Sequence, residues 1–415
     1  MLRSMYAGVS GLRSHQTMMD VIGNNIANVN TTGFKASTVT FQDTLSQMIG
    51  GAGAPQNATG GTNPSQVGLG VRLSAISTNF SQGASQLTGR TTDLAIQGDG
   101  MFIARQGSEN LFTRQGSFSF DTSGRLVTAQ GAVIQGWSAD ANGAINTNAP
   151  VGDVTLPVGQ LLPPRQTDSA FLGGNLPADA ADGAVITSGI NIFDAQGTKF
   201  AVSLTFTKTG PDSWDVEATT PDPADPDNPY VVYSGAMTFD PSTGRPDSGT
   251  NIDLSMPVGQ WNGEDVTVDL GEGQIEGLQQ FSGANSVSFE SQDGSAVGFL
   301  RSFSISPAGV LTGVFSNGQT RSVGQIAVAN FNNPQGLEKV GDSLYRVSVN
   351  SGLAQVGVAG DGGRGSLAGG MLEMSNVDLA QEFTNLIVAQ RGFQANSRII
   401  TASDELLQDL VNLKR

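Results

Sequence analysis

Two series of apolar residues at seven-residue spacing, one at each end of the chain, constrain this sequence more than any other feature. Met5, Leu12, Met19 and Ile26 form the first, and Leu2, Val9 and Ile22 fill the same stripe. Leu372, Leu379, Leu386, Phe393, Ile400 and Leu407 form the second, flanked by Phe383, Ile387, Ile399 and Leu410. Apolar residues repeating every 3.5 positions lay one stripe along an α-helix and require a second helix to cover it. The spacing therefore predicts paired N- and C-terminal coiled-coil-like helices. Gly8, Gly11 and Gly23 each weaken the first helix by about 1 kcal/mol relative to Ala, so packing must supply what propensity lacks. The turn formers Asn28-Val29-Asn30-Thr31-Thr32-Gly33 predict its end, and Gly369-Gly370 marks a boundary before the second helix.

Between the helices the pattern changes to period two. Leu94-Ala95-Ile96 and Met101-Phe102-Ile103 flank Gln97-Gly98-Asp99-Gly100, where Asp-Gly predicts a hairpin turn. Phe118-Ser119-Phe120 leads through Asp121-Thr122-Ser123-Gly124 into Arg125-Leu126-Val127. Phe303-Ser304-Ile305, Pro307-Ala308-Gly309 and Val310-Leu311 repeat that arrangement later, with a further turn at Asn317-Gly318. Phe200 to Phe206 and Tyr230 to Tyr233 read as strands in the middle of the chain. Ile49 to Gln66 and Val358 to Gly370 are Gly-rich, lack periodicity and read as flexible linkers.

Charge divides the chain in the same places. Residues 145–285 carry 19 acidic and 4 basic side chains, whereas 1–144 carry 7 and 8, and 286–415 carry 11 and 9. Almost the whole net charge of −16 therefore lies in the middle. Near-neutral flanks pack against copies of themselves at little electrostatic cost, while an acidic segment repels its like and faces water. The fold class expected is multi-domain α+β with a nested arrangement: residues 1–33 with 371–415 as a helical assembly core, 34–70 with 355–370 as a linker, 71–144 with 286–354 as an inner all-β domain, and 145–285 as an inserted β-rich outer domain.

Composition removes most chemistry. The chain has no Cys and a single His, His15, so thiolate sites, multi-His metal sites and Cys–His nucleophile pairs are unavailable, His-based catalysis is nearly excluded, and no local signature favours a Ser–Lys pair. No Gly cluster is followed by Lys-Ser/Thr as in a phosphate-binding loop. Asp222, Asp225 and Asp227 lie in a Pro-rich stretch without the Gly and distal Glu of a calcium loop. No cofactor and no metal are expected, and the acidic balance argues against nucleic acid. No apolar run is long enough to span a membrane, and Met1 to Tyr6 has no secretory-signal pattern.

Residues from Gly8-Val9-Ser10-Gly11-Leu12 through Met19 to Lys35 resemble the N-terminal signature of flagellar rod and hook axial proteins, with Asn24, Asn25, Asn28, Thr32, Gly33, Phe34 and Lys35 carrying it. Asp93 to Phe102 with Phe112 to Gly116 is similar to the family's inner-domain motif, and Ser375 to Phe383 with Gln390 to Asn396 to its C-terminal helix. The resemblance covers both flanks and not the acidic middle. It implies a non-enzymatic subunit that self-associates into a helical tube and meets rod, cap and hook–filament junction proteins. It also implies export by the flagellar type III apparatus without a cleaved signal peptide, and an extracellular place on the flagellum. Phe41 and Leu45 resemble its export-gate motif. The large insertion, with Phe331 to Leu337, favours a hook-type subunit, a curved universal joint between motor and filament, over a distal rod subunit. A secreted acidic adhesin or surface-layer module is the alternative from another class; it leaves the two terminal heptad series unexplained.

Overall fold

The computed structural model describes residues 2–412 except 56–59, 141–142, 158, 160, 223–228, 248–250, 257–264 and 272–276. The chain forms two compact units. One comprises Met1–Leu156, Ser304–Thr312 and Ser322–Arg415, and the other Pro157–Phe303 with Gly313–Arg321. The second unit thus begins and ends later than the 145–285 read from charge. Asp153 and Val154 explain the shift at its start. Asp153 pairs with Arg105 at 2.6 Å, and Val154 is fully buried among first-unit side chains.

In the first unit two helices, α1 (Leu2–Ala27) and α2 (Leu379–Asn412), accompany an all-β body. Strands in the order Thr320–Asn330, Val133–Ser138, Met101–Gln106, Glu109–Thr113, Leu344–Arg346 and Glu338–Gly341 pair antiparallel throughout. Met101 to Ala104 are buried without alternation, because both faces of this strand are covered: Phe102 packs edge-on against Phe118 at 5.0 Å, while Ile103 belongs to a separate cluster with Phe112 and Phe331. The turns at Asp121–Gly124, Pro307–Gly309 and Asn317–Gly318 form as expected. The turn at Gln97–Gly100 does not. Leu94–Gln97 pairs with Ser366–Gly369, and Met101–Gln106 pairs with Glu109–Thr113. Gly98 and Gly100 adopt φ of 104° and 128°, in the left-handed region that glycine tolerates, and the two strands go to different partners.

The segments expected to be flexible linkers are paired. Four strands, β1 (Ser37–Asp43), β2 (Ser46–Gly50), β3 (Ser65–Gly68) and β4 (Val71–Thr78), make one long antiparallel ribbon: β1 pairs with β4 and β2 with β3. Backbone bonds from Thr44 to Gly70 and from Leu69 to Leu45 join the two ladders. Gln355–Val358 and Ser366–Gly369 are likewise strands of the β body. Gly-rich composition suggests looseness, yet inter-strand hydrogen bonds need no side chains.

The second unit holds the antiparallel meander Val185–Phe193, Lys199–Gly210, Ser213–Thr220 and Tyr230–Thr238 and a five-stranded sheet around Ser169–Pro177. Lys199–Gly210 alternates as a half-buried strand should, with Val202, Leu204 and Phe206 inward. Fully buried Trp214 anchors the core, its indole N–H donating to Gln280 Oε1 at 3.0 Å.

Candidate assembly site

Asp378 decides where α2 begins. Its Oδ1 accepts from the backbone N–H groups of Ala380 (2.9 Å) and Gln381 (3.2 Å), satisfying donors that a helix start leaves free. Leu372, expected on the helix, is therefore outside it. It lies buried in the strand Met371–Glu373, which pairs with Ser85–Leu87. Leu372 shares the seven-residue spacing and the apolar character of the series, but it is the β body that buries it.

The two helices run antiparallel. A Cβ on Gly8 would touch Ile400 at 3.5 Å, one on Gly11 would lie 2.8 Å from the Asn396 amide, and one on Gly392 would meet the His15 ring at 2.5 Å. Near the other end Asn25 donates to Glu382 Oε1 at 3.1 Å. Apart from Ile22, the innermost residues are not those of the apolar series. On α2 they are Glu382, Ala389 and Ser403, with half-buried Asn396 between them at the same seven-residue spacing and facing Gly11, and on α1 Gly8, Gly11, Ser14, Ile22 and Asn25. Small side chains let the backbones approach closely, which is why the glycines sit where they do.

The apolar series lies beside this seam. Met5, Val9, Leu12, Met19 and Ile26 on α1, and Leu386, Phe393, Ile400 and Leu407 on α2, are half-buried. Leu379 and Phe383 are exposed, with Ile387, Val388, Ile399 and Leu406. Ile22 alone of the expected interface residues on α1 is buried within the chain, at 4% exposure. The side chains of Leu2 and Leu410 lie outside the described residues.

A buried ionic cluster fixes the helical pair to the β body. Lys35, eight residues beyond the end of α1, places Nζ 2.6 Å from Glu373 Oε1 and donates to Ser81 O at 2.7 Å. Glu373 Oε1 also accepts from Gly83 N–H at 2.9 Å, and its Oε2 receives Arg114 at 3.3 Å. Arg114 further donates to Gly98 O at 2.7 Å. All three side chains are shut off from water. Burial pushes the Lys35 ammonium below its ordinary value, against the opposing pull of Glu373.

Other signature residues complete the joint. Asn25 bonds both backbone groups of Ser37, donating to its carbonyl at 2.8 Å and accepting from its N–H at 3.0 Å. Gly33 takes φ of 69° and would bring a Cβ within 2.6 Å of Gln115 N, so no other residue fits there. Lys339 Nζ lies 5.1 Å from the Phe34 ring centre and donates to Ser37 Oγ at 3.0 Å. Asn28 caps the helix end by donating to Asn24 O at 2.9 Å, and Thr32 is half-buried beside them. Sequence reasoning singled out Lys35 but missed Arg114, Glu373 and Asn376 as partners. Asn376 Oδ1 accepts from Ala36 N–H and its Nδ2 donates to Asn79 O.

Phe41 lies on β1 with its ring edge-on to His15 at 5.9 Å, and Leu45 follows β1 at 80% exposure. Among the described residues no group of His, Asp or Glu is placed to hold a metal ion, and no helix is long and apolar enough to cross a membrane. Asp225 and Asp227 lie outside the described residues.

Terminal helices joined to a β body by a buried cluster, with a second β unit inserted, are the parts of a flagellar axial subunit. Four family profiles match in chain order: flagella basal body rod protein over residues 5–35, flagellar hook protein FlgE/F/G D1 domain over 95–168, flagellar basal body protein FlaE D2 domain over 162–295, and flagellar basal body rod FlgEFG protein C-terminal over 368–413. The flagellar hook protein FlgE of Borreliella burgdorferi is 40% identical over the whole of both chains. The flagellar basal-body rod protein FlgG of Bacillus subtilis is 35% identical over the whole of both. In fold, the crystal structure of Helicobacter pylori flagellar hook protein FlgE2 is similar with a TM-score of 0.55, at 15% identity over 68% of this chain and 98% of that one. The chain belongs to the flagellar hook protein family and is a structural subunit of the hook. The rod reading is the weaker one.

Proposed function

We propose that this subunit polymerises through its paired terminal helices, which stack in a coiled-coil-like layer and close a curved tube that transmits motor torque from rod to filament. One observation carries the reading: apart from Ile22 the α1–α2 seam uses small and polar residues, leaving the apolar rows half-buried or exposed. Rows of half-buried and exposed Leu, Ile and Phe on a helical pair need other helices to cover them. Each copy supplies the same rows, so copies of this chain are the natural cover. The near-neutral flanks then pack against copies of themselves, the acidic unit stays in water, and contacts between its copies exchange as the tube turns. A tube that bends as it spins lengthens and shortens those contacts once per revolution, and weakly charged polar surfaces keep that exchange cheap.

The subunit acts without catalysis, leaves the cell through the flagellar type III apparatus with its N-terminus uncleaved, carries Phe41 and Leu45 as its export-gate pair, and contacts rod, cap and hook–filament junction proteins. Electron microscopy of the purified protein tests the core of this reading. Wild-type chain forms tubes, whereas Phe383→Asp, at a position already half in water, leaves a folded monomer that forms none. Tubes of normal appearance from Phe383→Asp would exclude the α2 row from assembly.

A further inference from the structure

Two apolar side chains of the first unit stand in water on a loop that hydrogen bonds fasten down. Val349 is 106% exposed and Leu353 86%, more than any other large apolar residue among those described. Single exposed apolar residues are ordinary, but these two share a loop whose backbone is tied to the β body. Ser351 between them is fully buried. Its Oγ accepts from Ser348 N–H at 3.0 Å, and Ser348 Oγ donates in turn to Gly336 O. Asn333 Nδ2 donates to Asn350 O, and Gln355 Nε2 to Asn332 Oδ1, both at 2.9 Å. A Cβ on Gly336 would lie 2.8 Å from the Asn350 carbonyl, so the loop backbone sits directly on the turn Pro334–Gly336. These contacts set the loop's shape before any partner arrives, which lowers the cost of ordering it on binding.

The surroundings of the pair have the make-up of an interface. No Asp, Glu, Lys or Arg occurs between Arg321 and Glu338, or between Arg346 and Asp361, the two segments that those bonds join. Exposed amides of Asn332, Gln335, Asn350 and Gln355 lie on the same segments as the apolar pair. An apolar centre, a polar rim and a lack of charge distinguish the buried part of protein interfaces from ordinary surface.

We infer that the loop 348–354 is an interface knob that a second copy of this chain covers with a surface other than this loop. Charge selects the occupant. Every copy carries a net −16, so copies meet at least cost through faces that bear no charge. A basic partner would instead be drawn to the acidic stretch 145–285. Two different surfaces meeting between copies propagate into a helical polymer, whereas loop against loop closes a dimer. The inference rests on the reading that copies of this chain polymerise, and adds a contact through the β body to the one through the helices.

The test uses the full chain. Val349→Asp with Leu353→Asp should leave monomer unfolding unchanged, because both side chains already lie in water, and should raise the concentration needed for tubes at least tenfold. Because the chain has no Cys, Val349→Cys can carry a benzophenone maleimide as its only label. Labelled chain is polymerised with 15N-labelled wild type and irradiated, and the digest is read by mass spectrometry. The expected adduct joins the loop to a 15N peptide from outside 348–354. Tubes that form at wild-type concentration from the double Asp variant overturn the contact and leave helical assembly standing. Irradiated tubes with no adduct between copies also overturn it, as does a disulfide dimer of unlabelled Val349→Cys, which would mean loop-to-loop pairing. In hooks sheared from cells, adducts confined to a different protein would show that another partner covers the loop and would overturn it too. Wild-type chain that formed no tubes would sink the polymerisation reading, and this contact with it.

Discussion

Lys35 and Glu373, 338 positions apart in the chain, meet at 2.6 Å with neither side chain open to solvent. Each belongs to a segment attached to one terminal helix, and Arg114, from the β body, completes the cluster at 3.3 Å from the same carboxylate. One carboxylate thereby ties the segment after α1, the strand before α2 and the β body together. A buried ion pair adds little net stability compared with an apolar pair, but removing one partner leaves a buried charge and costs about 3–5 kcal/mol.

Single and double replacements should therefore differ in kind. Glu373→Leu leaves Lys35 and Arg114 facing each other without a counter-charge and should be the most destabilising. Lys35→Met should cost less, because Arg114 still meets Glu373. Lys35→Met with Glu373→Leu should cost well below the sum of the two, since only Arg114 remains and it keeps Ile96 O and Gly98 O. Denaturant unfolding of the monomer gives the three values; simple additivity would mean that the charges are not coupled.

The seam glycines have separable roles. Gly392→Ala would drive a methyl to 2.5 Å from the His15 ring, and Gly11→Ala would put one 2.8 Å from the Asn396 amide. Each should loosen the helical pair by about 1–3 kcal/mol. A methyl on Gly23 would meet nothing within 4 Å, so Gly23→Ala should gain about 0.5–1 kcal/mol. Helical circular dichroism during thermal unfolding reads both signs, and a stabilising Gly392→Ala would refute the close packing.

Glu382 sits in the seam, and burial pushes its carboxyl above the ordinary 4.5; the bond from Asn25 opposes this and Asp378 adds to it. A raised folded-state value means that the folded chain holds the proton more tightly. That contribution is complete below 4.5 and is lost as pH rises through the raised value. Acidifying from neutrality toward 4.5 should therefore favour the helical pair, and Glu382→Gln should flatten that part of the profile. An unchanged difference between wild type and Glu382→Gln across this range would remove Glu382 as the cause.

Periodicity made the helices readable, because a seven-residue spacing survives whatever the partner is. It did not identify the partner: the same spacing runs through Leu372, which the β body buries, and through Glu382, Ala389, Asn396 and Ser403, which form the seam. Turns at Asp121–Gly124 and Asn317–Gly318 were legible because side chains and positive φ act locally. The ribbon was not, since Gly-rich strands pair through the backbone and leave no alternating signal. Nor was the Lys35–Glu373–Arg114 cluster, whose members come together only after the whole chain has folded.

The inserted acidic unit gives the last prediction. A deletion of 145–285, as charge alone suggests, would remove Asp153 and with it the bonds to Arg105 and Gln135. It would also remove Val154 and Leu156, buried at 0% and 3% exposure, and should leave an unstable first unit. A cut that keeps Leu156 and Ser304 and replaces Pro157–Phe303 with a short Gly/Ser linker spares those contacts, and this subunit should fold and still assemble. Its helices, cluster and ribbon are intact, and the acidic repulsion is gone. Tubes from it should be straighter, because the contacts between copies of the second unit are gone. Cells carrying it should make filaments but swim poorly. Electron microscopy and motility assays read these outcomes together. A folded, stable deletion subunit that formed no tubes would place part of the assembly core in the second unit and contradict the division of labour argued for the two units.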